Sequence, residues 1–174
     1  KSPNIFVVAY TSTAAGAGSY GYAVVGTVSG SSISFGTPVL FNAGVTSYMC
    51  LAVDPTTAGR FVVAYRDSGN SGYGTAIAGD VYEPRVAFDP NTANKLVVLY
   101  LPQTGSPTYQ GYSKVGTLSG TSISFGSMTQ FNTAQTFHAS IAFDPNVAGK
   151  FIIAFRDAGN SSYGTAIIGT VSGT

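Results

Sequence analysis

The chain has 174 residues, of which 9% are charged and 44% hydrophobic, and its formal net charge is +1. That balance offers no electrostatic reason to bind nucleic acid or an anionic membrane surface, and it excludes disorder, which combines low hydrophobicity with high net charge. No apolar run reaches the roughly 18 residues of a membrane-spanning helix, so no membrane insertion is expected. The surplus of Gly, Ser, Thr, Tyr and Asn points to an extracellular or virion-surface protein.

The first predicted strand is a short apolar run, Ile5–Tyr10 (type B). A Gly- and Thr-rich segment, Tyr22–Val28 (type C), follows, and then an alternating one, Ser32–Phe41 (type D). A new type opens the next group, Met49–Pro55, which ends in Asp-Pro (type A); Phe61–Tyr65 (B) and Gly74–Val81 (C) come after it. The third group is complete, with Pro84–Pro90 (A), Leu96–Tyr100 (B), Tyr112–Leu118 (C) and Ser122–Phe131 (D). The fourth holds Ala139–Pro145 (A), Phe151–Phe155 (B) and Gly164–Val171 (C). The type B runs are β-branched and aromatic and are bounded by Gly, Asp, Asn or Pro, which marks them as strands. Their continuous apolarity predicts cover on both faces, whereas the alternation of type D suits an outer strand with one wet face. No apolar spacing of helical period runs for three turns.

The groups are copies. Phe61–Ile77 returns as Phe151–Ile167, and Val25–Gly36 returns as Val115–Gly126, both shifted by 90 residues. A faithful internal repeat means one supersecondary unit copied and stacked. The A-to-B connections begin at Asp54, Asp89 and Asp144, each followed by Pro, and read as turns in which Asp accepts backbone amides. Ser29-Gly-Ser-Ser32 and Ser119-Gly-Thr-Ser122 read as tight hairpins. A sandwich has no reason to repeat so closely, and a solenoid would need shorter rungs. The expected fold is therefore all-β, a β-propeller of about four antiparallel blades built from the 90-residue duplication, some lacking a strand. It forms a single domain over 1–174, with blades at about 1–42, 43–81, 82–132 and 133–174. The first group has no A strand, and the second and fourth have no D strand. Edges left open in this way favour self-association.

The blade order, with Ala-Phe-Asp-Pro in type A, Phe61-Val-Val-Ala-Tyr65 in type B and Ser-Gly-Thr-Ser-Ile-Ser-Phe-Gly leading into type D, resembles sialidase-type (BNR, Asp-box) propeller blades. The box is degenerate, since Ser29-Gly-Ser-Ser-Ile-Ser-Phe35 lacks the aspartate and carries Phe in place of Trp. In phrase the chain is closest to tandem-repeat proteins of marine phages and bacteria, which implies a place on a virion tail or cell surface. Sialidase chemistry would need an arginine cluster, a Tyr/Glu nucleophile pair and an acid Asp. This chain has one glutamate, Glu83, and four arginines, Arg60, Arg66, Arg85 and Arg156, and the copies of a blade residue lie apart around a ring. Two matched carboxylates for an ordinary glycosidase are likewise missing. No catalytic residue, metal or cofactor is expected.

Comparing the copies separates what the scaffold fixes from what it leaves free. At the start of the A strands stand Tyr48, Glu83 and His138, and two residues later Cys50, Arg85 and Ser140, while the rest of A barely changes. In a propeller this end of the inner strand opens on the ligand-binding face, so Tyr48, Glu83, Arg85 and His138 are candidate binding residues. Cys50, the only cysteine, reads as a small apolar strand residue. The B-to-C loops supply a second set: Arg66, Asp67, Asn70 and Tyr73 in one copy, Arg156, Asp157, Asn160 and Tyr163 in the other. Arg, Asp and Asn give donors and acceptors and Tyr gives a stacking face, the inventory that a sugar needs. The alternative for these loops is a self-bonded turn. The expected function is a non-enzymatic binding or adhesion module recognising a glycan or cell-surface receptor, as a homo-oligomer or part of a larger repeat array. The alternative is a structural self-assembling protein, fibre or multimer, with blades completed between copies; a sialidase-like hydrolase ranks third.

Overall fold

The β-branched and aromatic runs become strands throughout. The computed structural model describes residues 4–13, 18–70, 73–74, 77–103 and 108–172, with backbone alone at 73–74 and 77–80. The strands are β1 (Ile5–Ser12), β2 (Tyr20–Ser29), β3 (Ser32–Phe35), β4 (Val39–Asn42), β5 (Thr46–Val53), β6 (Phe61–Asp67), β7 (Tyr73–Gly74), β8 (Ile77–Asp80), β9 (Tyr82–Phe88), β10 (Lys95–Leu101), β11 (Gln110–Ser119), β12 (Ser122–Phe125), β13 (Thr129–Phe143), β14 (Lys150–Asp157) and β15 (Tyr163–Thr170). Three antiparallel sheets result: β1–β4, β5–β8, and a curled seven-stranded sheet from β9 to β15. The fold is all-β.

Two boundaries differ from the sequence reading. The type D strand is broken in both copies: β3 and β4 pair with successive parts of β2, and β12 and the start of β13 with successive parts of β11. In the other direction, β13 runs unbroken across the expected division at 132/133, pairing with β11 near its start and with β14 near its end. Gly44 interrupts the first copy between β4 and β5, but its counterpart is Ala134, and nothing there stops the strand. A glycine loosens a strand where alanine lets it continue.

The core sits at β10. Leu96, Val97, Val98 and Leu99 are fully buried, so the cover on both faces expected of type B holds here. Leu96, Val98 and Tyr100 pack with Val62 and Ala64 of β6 in one cluster, and Val97 and Leu99 pack with Phe151, Ile153 and Phe155 of β14 in another. The expectation fails for β14, which alternates: Phe151, Ile153 and Phe155 are buried while Ile152, Ala154 and Arg156 are exposed. The Gly-rich type C strands have a packing reason. A Cβ at Gly26 would collide with the ring of Phe6 opposite it, and one at Gly169 with the ring of Phe151.

The Asp-Pro turns are self-bonded, as expected. Asp54, Asp89 and Asp144 each accept, through Oδ1, the amide two residues on, at 2.7, 2.9 and 2.9 Å. The turns also join the copies. Arg60 pairs with Asp54 and donates to Asn94 Oδ1 at 2.6 Å, and Gly149 donates its amide to Asp89 Oδ2 at 2.8 Å. Between the β1–β4 and β5–β8 sheets lies an apolar cleft of about 630 Å³, lined by Val7, Val25, Phe41, Phe61, Val63 and Tyr65 among others. The counterparts of these residues close tightly between β10 and β14. Two side chains are smaller than their counterparts in the closed interface: Ala9 stands where the later copy has Leu99, and Val63 where it has Ile153. Lost side-chain volume that the backbone does not follow leaves space.

Candidate functional site

Strand register puts the candidate residues at one end of the sheets. Thr46 pairs with Asp67 and Thr136 with Asp157, so the start of β5 and the middle of β13 lie beside the ends of β6 and β14, where the B-to-C loops leave. The Asp-Pro turns occupy the opposite end.

At the start of each A strand the ladder shifts register, between Ser47 and Cys50 in β5 and between Phe137 and Ser140 in β13, and a shift falls opposite the start of β9 as well. These are β-bulges, which turn a side chain out of the ladder. The residues that take the bend are Tyr48 (φ 49°), Glu83 (φ 46°) and His138 (φ 53°), all in the left-handed region. Left-handed backbone disfavours any side chain with a Cβ by about 1–2 kcal/mol. Glycine or asparagine would be the low-strain choice, yet the three copies carry a phenol, a carboxylate and an imidazole.

The bulges bring these three together. The His138 amide donates to Glu83 Oε2 at 3.1 Å, and His138 Nδ1 lies 3.8 Å from Glu83 Oε1. Tyr82, next to Glu83, packs its ring on Tyr48 at 4.4 Å between centroids and on Tyr109 at 5.1 Å. A hydrogen bond with the Tyr48 hydroxyl, and then burial, push the Tyr82 phenol up to about 12. The Glu83 side chain is 15% exposed and that of His138 75%, while Tyr48 is 42% exposed. The result is a row of three tyrosine rings whose middle member, Tyr82, adjoins Glu83 in the chain, with the open imidazole of His138 beside that carboxylate. Such a surface can stack on an apolar ring face and exchange hydrogen bonds with hydroxyl groups.

The other candidates are distributed around this cluster. Arg85 bends back to donate to the Pro84 carbonyl at 3.0 Å. Arg66 reaches Gln103 Oε1 at 3.3 Å, and the Arg156 guanidinium lies over the Phe137 ring at 5.1 Å. Asp67 and Asp157 accept the amides of Gly69 and Gly159, both at 2.9 Å, and Asp157 also accepts from Asn132. These two aspartates cap the short 3₁₀ turns Ser68–Asn70 and Ala158–Asn160, the self-bonded alternative for the loops. Asn70, Asn160 and Tyr163 are exposed, Tyr163 at 67%. The Tyr73 side chain lies outside the described residues. Among the described residues no cluster of metal-ligating side chains occurs.

Sequence comparison of the copies missed Tyr82 and Tyr109. The signal for Tyr82 lay one residue earlier than the positions singled out, where Ser47, Tyr82 and Phe137 differ as much as their neighbours do. Tyr109 falls in a loop that matches no other copy, and no pattern marks it. Comparison with protein-family models, with curated proteins and with solved structures finds no match for this chain.

Proposed function

We propose that the protein is a non-enzymatic recognition module of a virion or cell exterior, which binds a glycan at the Tyr48–Tyr82–Glu83–His138 cluster. The observation that carries this reading is the retention of Tyr, Glu and His at three equivalent left-handed positions. Strain held at corresponding places by functional side chains is a mark of binding sites. The tyrosine row offers the stacking surface and the Glu83–His138 pair the hydrogen bonds that a sugar needs. A propeller of sialidase-type blades is the finer reading of the fold: strand order within each copy and the inner placement of β5, β9 and β13 against one another support it. The engagement of Glu83, Asp67 and Asp157 by backbone amides favours binding over hydrolysis, because each carboxylate already has a structural partner.

The test is a broad glycan array probed with the wild-type protein and with the Tyr48→Ala/His138→Ala variant. Selective binding that the double variant loses while it stays folded supports the reading. A blank array from folded wild type, or binding indifferent to the two substitutions, rejects it.

A further inference from the structure

The two ends of the repeat array carry the two halves of an interface that the chain already makes inside itself. That internal interface joins β5–β6 to β9–β12. Cys50, Ala52, Val62 and Ala64 form one side; Leu96, Val98 and Tyr100, with Tyr112, Ile123 and Phe125, form the other. The 90-residue shift carries the first side onto Ser140, Ala142, Ile152 and Ala154, the outer face of β13–β14. It relates the second side to Phe6, Val8, Tyr10, Tyr22, Ile33 and Phe35, the outer face of β1–β3.

The same residue types are covered in one place and open in the other. Val62 is 8% exposed and its counterpart Ile152 45%; Ala64 is 1% exposed and Ala154 lies in the open. Ile123 and Phe125 pack against the internal cluster, while Ile33 and Phe35, in the same Ser-Ile-Ser-Phe-Gly phrase, are each 59% exposed. Ile168, paired with Ile152 on the open face, is 69% exposed. Contiguous apolar surface of this kind marks an interaction site.

The polar contacts at the rim repeat as well. Inside the chain Arg60 donates to Asn94 and Arg66 to Gln103 across the interface. By the 90-residue shift the counterparts of these pairs are Lys150 with Asn4 and Arg156 with Thr13, again a donor with an acceptor. Apolar content and rim polarity therefore correspond in one register.

We infer that the β13–β15 face of one molecule docks on the β1–β3 face of a second copy, reproducing the β6/β10 interface between chains. The contact is heterologous, head to tail, so it propagates until a ring closes or a filament grows. It differs from strand completion between copies because sheets stack face to face and no edge is filled.

The experiment is sedimentation equilibrium on the wild type, on Ile152→Glu, on Phe35→Glu, and on an equimolar mixture of the two variants, with circular dichroism as the check on folding. The expected result is a wild-type mass that rises with concentration and single-chain mass for each variant alone. The mixture should form a dimer that grows no further, because each variant keeps one intact face. Ala154→Arg replaces Ile152→Glu if the latter fails to fold. A wild type that stays monomeric at every concentration overturns the inference, as does a mixture that stays monomeric or variants that assemble like the wild type.

Discussion

The main-chain amide of His138 donates to the Glu83 carboxylate at 3.1 Å across 55 residues of sequence, and both residues sit at the left-handed bend of an A strand. One bulge thus supplies the donor that fixes the side chain of the next. Glu83 is held by this main-chain donor, and the imidazole of His138 stays open to solvent.

His138→Gly is expected to stabilise the fold by about 0.5–1 kcal/mol, or roughly 2 °C in Tm, from relief of left-handed strain less the extra entropy of glycine in the unfolded chain. The amide that binds Glu83 remains. Thermal unfolding combined with ligand binding checks this: Tm should rise while binding falls. A lower Tm would mean that the imidazole itself holds the fold.

Ala9→Leu is expected to fill part of the apolar cleft between β1–β4 and β5–β8, since Leu99 occupies the corresponding place in the closed interface. Cavity filling of this kind typically gains about 0.5–2 kcal/mol. Denaturant titration should show a higher midpoint with an unchanged slope. A lower midpoint would show that the two sheets cannot close over the larger side chain.

Asp54 should make stability fall in acid. Burial alone would raise its pKa, but hydrogen bonds from Thr56 and the pairing with Arg60 outweigh burial and hold the carboxyl below its ordinary value of 3.8. A lowered pKa in the fold means that the unfolded chain takes up the proton more readily. The stability this site contributes is therefore present above pH 3.8 and is lost as the pH falls through the folded value. Asp54→Asn should cost about 1–3 kcal/mol at neutral pH and flatten the acid limb of a stability–pH curve. An unchanged acid limb would place the acid sensitivity elsewhere.

Two tyrosines should ionise late. The hydrogen bond with Tyr48 pushes Tyr82 up to about 12, and burial, then Tyr112, push Tyr100 to about 12. The unfolded chain ionises first, near 10, so the stability these groups contribute is complete below that pH and disappears on approach to 12. Ultraviolet titration of the folded protein should resolve both, and Tyr48→Phe should advance Tyr82 alone. Simultaneous advance of Tyr100 would point to general loosening.

Periodicity, β-branched runs, turn residues and the 90-residue repeat sufficed to assign the strands, their order and the Asp-Pro turns, because each depends on a few neighbouring residues. Internal comparison also picked out Tyr48, Glu83 and His138, since the three copies keep the rest of the A strand and vary at its start. What the chain alone did not reveal was long-range. The left-handed bend, the meeting of Tyr82 with Tyr48 and Tyr109, and the capture of Glu83 by the His138 amide depend on how one sheet lies against the next. The two faces of type B strands show the same limit. Leu96–Leu99 and Phe151–Phe155 read alike as apolar runs, but the first is covered on both sides and the second on one. Composition sets how apolar a face is, and only the position of its neighbours in space decides whether that face is core or an open surface for another molecule.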